Sequence, residues 1–117
     1  MADAEPITWE YYERAERDIF RLSGLPDECI QRSSVPIGKD CHGVQLTVRT
    51  AVVRAETDTE TTTKPTFVWV HGYGGQSGMY QQVLWSMTKF FRVILIDMLG
   101  CGASSRPKSF KYQSMTA

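Results

Sequence analysis

Residues 67 to 78 read FVWVHGYGGQSG: four apolar residues, a histidine, then four glycines within the next seven positions. Glycine clears side chains from the backbone, so main-chain N–H groups in such a stretch can lie against a ligand or a closely packed neighbour. Three chemistries and one purely structural role compete for it. A dinucleotide loop begins well at Gly72-Tyr73-Gly74 and would use Asp97, which closes the next apolar run, as its ribose-binding acid. It needs a glycine at 77, where Ser77 stands. A phosphate-cradling P-loop is excluded, because no Gly-Lys-Ser/Thr follows. An oxyanion hole asks for main-chain donors about 2.7–3.1 Å from a developing negative oxygen, and losing one donor costs about 2.7–4 kcal/mol of barrier. The structural role is a tight turn whose glycines permit positive φ and close helix packing.

A second cluster, IDMLGCGASSRP at 96 to 107, sets Asp97 at the end of an apolar run, Gly100 and Gly102 around one residue, and then Ser104. Ester chemistry by a serine nucleophile requires more: a G-x-S-x-G elbow, followed in chain order by an acid and a histidine. No serine in the 117 residues meets that pattern. Gly75-Gln76-Ser77-Gly78-Met79 has its second glycine one place early, and Ser104 is followed by Ser105 and Arg106. Histidine is the commonest general base, but His42 and His71 are the only two, both upstream of where an elbow would fall. Cys29, Cys41 and Cys101 lack metal-ligand spacing and are odd in number, which favours a reduced compartment.

The elements that would position these groups can be read from periodicity. Residues 8 to 23 predict an amphipathic surface helix, capped by Thr8, with Tyr12, Ala15, Ile19 and Leu22 on its buried stripe and Gly24 and Pro26 as its stop. Glu10 to Arg14 and Glu13 to Arg17 are spaced for a solvated i,i+4 ladder. Its aromatic foot, Trp9, Tyr11 and Tyr12, could alternatively meet a lipid surface. GKDCHG supplies turn residues before VQLTVRTAVV, where Val44, Leu46, Val48 and Val52 alternate as in a half-buried strand, so a hairpin is expected. ETDTETTTKPT reads as an exposed connection with little structure of its own. Two apolar runs without alternation, 66 to 71 and 92 to 97, predict strands covered on both faces. Between them Tyr80, Val83, Leu84, Met87 and Phe91 form one helical stripe, completing a parallel βαβ unit. Ligands in such sheets bind at the carboxyl ends of the strands, where both glycine clusters fall.

Length allows one ordinary domain. Residues 1 to 60 hold seven Lys/Arg against twelve Asp/Glu, and residues 61 to 117 hold six against one. The later basic residues are scattered singly, which argues against a nucleic-acid partner. No apolar run approaches the roughly 20 residues of a membrane-spanning helix, and the acidic start lacks the pattern of a secretory signal.

Taken together, HGYGG after one strand and D-x-x-G-x-G-x-S after the next resemble the α/β-hydrolase fold. With the acidic helix YYERAERDIF and a hairpin in front, the chain is similar to the branch of lysophospholipid hydrolases, cardiolipin deacylases and lipid-droplet lipase coactivators. The resemblance spans roughly residues 10 to 107. It implies an α/β class: a partial α/β-hydrolase sheet, made of an N-terminal hairpin and one parallel βαβ unit, preceded by an amphipathic helix. Residues 1–26 are then an N-terminal helical segment and 27–117 the N-terminal part of the hydrolase domain. It implies Tyr73 and Gly74 as oxyanion donors, and a structural frame of His71, Gly72, Gly75, Asp97, Gly100, Gly102 and Ser104. It further implies a lipid or lysophospholipid acyl-ester substrate handled without a cofactor, with no catalytic residue inside this stretch. An intracellular, cytoplasmic setting, peripheral on lipid droplets or membranes, goes with it. The H-x-x-x-x-D element linked to acyltransferase activity in this branch is absent, since Thr47 follows His42 and Gln76 follows His71 at that spacing. Non-catalytic lipase partners of the same fold, and a dinucleotide-binding module, are the alternatives. In the family order the first parallel strand lies between two others, so FVWV is expected as an unpaired edge here.

Overall fold

The computed structural model describes residues 7–107. Helix α1 (Trp9–Arg21) starts where Thr8 Oγ1 accepts the Tyr11 N–H at 3.2 Å and stops at Gly24, whose φ of 81° suits a residue without Cβ. Strands β1 (Ile30–Lys39) and β2 (Gln45–Val53) form the expected antiparallel hairpin, with a bulge between Pro36 and Gly38. At its tip Asp40 Oδ1 accepts the N–H groups of His42 and Val44, both at 2.9 Å, which closes the turn. Strand β3 (Thr66–Val70), a short 3₁₀ turn (Ser77–Tyr80), helix α2 (Gln81–Met87) and strand β4 (Arg92–Ile96) follow. The sheet order is β1-β2-β4-β3; β4 is antiparallel to β2 and parallel to β3. The parallel βαβ unit and the edge position of β3 match the expectation.

One face of the sheet carries the core. Val53, Val93 and Leu95 are fully buried beneath Leu84 of α2 and Phe20 of α1, each buried aliphatic contributing about 1.5–3 kcal/mol. Trp69 stacks on Tyr80 with centroids 4.1 Å apart, and Phe67 meets Phe91 at 5.6 Å, so the aromatic residues of β3 are held from the same side.

Five expectations need correction. The buried stripe of α1 runs through Phe20, not Leu22, which is 71% exposed because the helix ends before another turn can bring it to the sheet. The Glu10–Arg14 and Glu13–Arg17 ladder does not form; Glu13 instead reaches across to Arg49. In β2 the alternation is real but its parity is reversed: Arg49, Ala51 and Val53 face the helices, and Leu46, Val48 and Val52 lie half-buried on the opposite face. β3 and β4 are covered on one face only, leaving Val68 and Val70 half exposed, and Val83 of α2 is itself 41% exposed, off the buried stripe that runs through Leu84. The Thr-rich connection is pinned, since Lys64 pairs with Asp58 and donates to the Thr88 carbonyl at the end of α2.

Candidate functional site at the strand ends

Val70 pairs with Ile96 in the parallel register, so His71 and Asp97 are the first residues beyond the carboxyl ends of neighbouring strands. Past His71 the chain turns through Gly72-Tyr73-Gly74-Gly75, closed by the Gly75 N–H on the Gly72 carbonyl at 3.0 Å. Gly74 has φ of 72° and Tyr73 does not have positive φ, the signature of a type II turn with glycine at its third position. Among the described residues the N–H groups of Tyr73 and Gly74 donate to no protein acceptor. The Tyr73 side chain is fully exposed, and an added Cβ at Gly72 or Gly74 would meet nothing within 4 Å. A turn with two free donors and no side chain over its glycines is open to an anionic ligand.

The residues around that turn are tied down by hydrogen bonds. His71 is 3% exposed and uses both ring nitrogens: Nε2 accepts the Met98 N–H at 3.0 Å, and Nδ1 lies 2.8 Å from the Gly72 carbonyl. An Nε2 that accepts carries no proton, so the proton sits on Nδ1 and is donated to Gly72. Neither nitrogen is left to collect a proton from a substrate. Gly75 is packed so closely that a Cβ there would come within 3.1 Å of the Gly72 oxygen and 3.2 Å of the His71 Cβ.

Asp97 is the hub. Its Oδ1 accepts from the N–H and the Oγ of Ser77 at 2.7 and 2.6 Å, and its Oδ2 accepts the Ala103 N–H at 3.2 Å. The carboxyl therefore joins the glycine turn after β3 to the loop after β4. Gly102, with φ of 50°, lies so close that an added Cβ would sit 2.0 Å from Asp97 Oδ2. Gly100, with φ of 83°, shapes the same loop and donates its N–H to Ser105. Ser104 Oγ donates to the Asp97 carbonyl at 2.6 Å and accepts the Arg49 N–H at 2.8 Å, replacing a rung of the ladder where β2 and β4 diverge.

Sequence reasoning had not singled out three participants. In the sequence Ser77 spoils a dinucleotide motif and falls short of a nucleophile elbow; in the structure it is the main partner of Asp97. Arg49 and Ser105 are not marked by any motif, although a charged residue in the middle of strand β2, beside Val48, is a readable signal. The Ser105 N–H and Oγ both bind the main chain of Thr47. Among the described residues no cluster of His, Cys, Asp or Glu is arranged to hold a metal, and no helix is long and apolar enough to cross a membrane. A cavity of about 100 Å³ lies behind Asp97 and Ser77, between them and Tyr12, Ile19 and Phe20 of α1. The larger groove, about 720 Å³, is polar and lies at the opposite ends of the strands, by Thr66 and Arg92, away from both glycine turns.

Residues 65–117 match the α/β hydrolase fold family. The lip1 protein of Acinetobacter baumannii, assigned as a lipase, superposes with a TM-score of 0.60 at 20% identity, over 96% of this chain and 31% of that one. The fold is part of an α/β-hydrolase fold. A membrane phospholipase A, a bacterial virulence factor, gives a TM-score of 0.54 at 20% identity over 86% of this chain and 26% of its own. A 1-acylglycerol-3-phosphate O-acyltransferase of Arabidopsis thaliana is 51% identical over 43 residues, 37% of this chain and 10% of that protein. Its counterpart in Oryza sativa subsp. japonica, assigned the same activity, gives the same figures. The chain thus spans only a small part of these relatives. The α/β-hydrolase sequence match takes in β3, α2, β4 and both glycine turns, whereas α1 and the hairpin are joined to the fold by structure alone.

Proposed function

We propose that the Gly72–Gly75 turn is the oxyanion side of a serine-dependent catalyst that cleaves or transfers the acyl ester of a lipid or lysophospholipid. The observation that carries this reading is the pair of unengaged amides, Tyr73 and Gly74, at the carboxyl end of β3. Tetrahedral intermediates in acyl transfer concentrate negative charge on one oxygen, and preorganised main-chain donors stabilise it without reorganising. In this reading the nucleophile, its histidine and its acid come from residues outside these 117, and an amide beside the nucleophile completes the hole. Tyr73 supplies the first donor through its main chain, and its side chain is free to vary. His71, Asp97 and Ser104 hold the frame and take no part in proton transfer. The lipid substrate class draws its support from the lipase and phospholipase neighbours and from the short, strong identity to acyltransferases of 1-acylglycerol-3-phosphate.

Tyr73 occupies the second position of the turn, where proline is favoured, so Tyr73→Pro deletes the donor and keeps the turn. In a chain that carries the serine elbow, this variant lowers kcat by about 10²–10³-fold, while Tyr73→Ala stays near the parent. Equal rates for the proline and alanine variants would remove Tyr73 from the hole. The second reading is a non-catalytic partner of the same fold; its support is that His71, the histidine beside the glycine turn, has both nitrogens engaged and is not free to act as a base. A fluorophosphonate probe leaves this polypeptide unlabelled in either case; stoichiometric labelling would overturn both.

A further inference from the structure

Arg49 is a charged residue on the core side of the sheet, 5% exposed, and the chemistry above makes no use of it. Each nitrogen of its guanidinium has a partner: Nε lies 3.2 Å from Glu16 Oε2, Nη2 lies 3.3 Å from Glu13 Oε1, and Nη1 lies 3.3 Å from Ser34 Oγ. The Trp9 ring covers it at 5.2 Å. Both glutamates and the tryptophan belong to α1. The main chain of Arg49 is committed in the other direction, its N–H to Ser104 Oγ and its carbonyl to the Asp97 N–H at 2.9 Å. One residue therefore links α1 to the carboxyl that holds Ser77.

Stability alone does not call for this arrangement. A buried ion cluster is commonly no better than well-packed apolar side chains of the same volume, whereas charged forks fix register. Apolar contact between α1 and the sheet is thin: Phe20 is the only fully buried residue of the helix, and a cavity of about 100 Å³ separates Tyr12 and Ile19 from the site loop. Along the edge of that cavity the helix touches the loop directly, since a Cβ added at Gly78 would lie 3.0 Å from Ile19 Cγ2. The ion cluster sets where α1 sits, and α1 packs on Gly78, three residues past the glycine turn.

We infer that Arg49 is a positioning residue for the oxyanion turn, tying Glu13 and Glu16 of α1 to the Asp97–Ser77 clamp, so that displacement of α1 loosens the turn without opening the sheet. Its functional meaning rests on the oxyanion reading; the coupling itself does not. The test is amide hydrogen exchange on the full natural chain, comparing Glu16→Gln and the milder Glu13→Gln with the parent. Protection of the Ser77 and Ala103 amides falls by about tenfold in Glu16→Gln, less in Glu13→Gln, while amides of the β2–β4 ladder change by less than about threefold. Equal loss at both places would mean ordinary destabilisation and would overturn the inference, as would unchanged protection at Ser77. If Glu16→Gln fails to fold, Glu13→Gln, whose side chain is already 40% exposed, decides by the same comparison. These outcomes are independent of the Tyr73→Pro kinetics, so the coupling and the oxyanion reading can fail separately.

Discussion

Gly100 and Gly102 share one loop and both have positive φ, 83° and 50°, but they differ in what surrounds them. At Gly100 an added Cβ meets nothing within 4 Å, so Gly100→Ala bears only the conformational cost of a left-handed L-residue, roughly 1–2 kcal/mol. At Gly102 the same methyl would lie 2.0 Å from Asp97 Oδ2 and 2.4 Å from its Cγ, inside any tolerable contact, so the carboxyl must leave. Leaving forfeits bonds to Ser77 and Ala103 and strands the buried Ser77 N–H, which adds about 1.5–3 kcal/mol for one lost charged hydrogen bond. The sum for Gly102→Ala is about 2.5–5 kcal/mol, so the two variants differ by about 1.5–3 kcal/mol. Urea midpoints at equal m-values measure it. In an Asp97→Ala background, Gly102→Ala should fall most of the way to the cost of Gly100→Ala, because the carboxyl contacts are gone and only the Cβ of residue 97, at 3.1 Å, remains. Equal destabilisation by the two alanines in the parent, or an undiminished Gly102 effect without Asp97, would refute the clamp at Asp97.

Three further outcomes follow from the same geometry. Long-range ¹H–¹⁵N correlation should show His71 protonated on Nδ1 and bare on Nε2; the opposite tautomer would contradict the Met98 N–H bond. The Lys64 hydrogen bond, partly opposed by burial, holds the Asp58 carboxyl below the usual carboxylate range, so its contribution is present above the unfolded carboxylate pKa and is lost as pH falls through the lower folded value; Asp58→Asn should flatten the acid limb of stability, and an unchanged limb would remove the pair from that role. Val68→Lys places a charge on the open face of the edge strand and should raise the soluble fraction at constant far-UV signal; an unchanged or lower yield would absolve that edge.

What could be read in advance was local. Thr8 caps its helix through a hydrogen bond three residues away, and the positive φ at Gly74 follows from a turn that only four residues define. What escaped depends on distant partners. The parity of β2 was misjudged because Val44, Leu46, Val48 and Val52 make the more apolar set, yet the two helices lie over Arg49, Ala51 and Val53. Only the 36-residue span from Glu13 and the 33-residue span from Glu16 make an inward arginine tolerable, and neither distance is visible in a local pattern. Ser77 was obscure for the same reason, since its partner Asp97 is 20 residues on and across a strand crossover.

The same reasoning accounts for the one feature of β3 and β4 that the described chain leaves unused. A strand that keeps one face in water alternates polar residues there; Val68, Val70, Ile94 and Ile96 do not alternate with anything polar, and together with Val52 and Val48 they make an apolar face opposite the helices. The glycine turns do not depend on it. Their hydrogen bonds run from the loop after β3 through Asp97 to β2 and α1, all on the packed side, so the geometry of the Tyr73 and Gly74 amides does not rest on the open face.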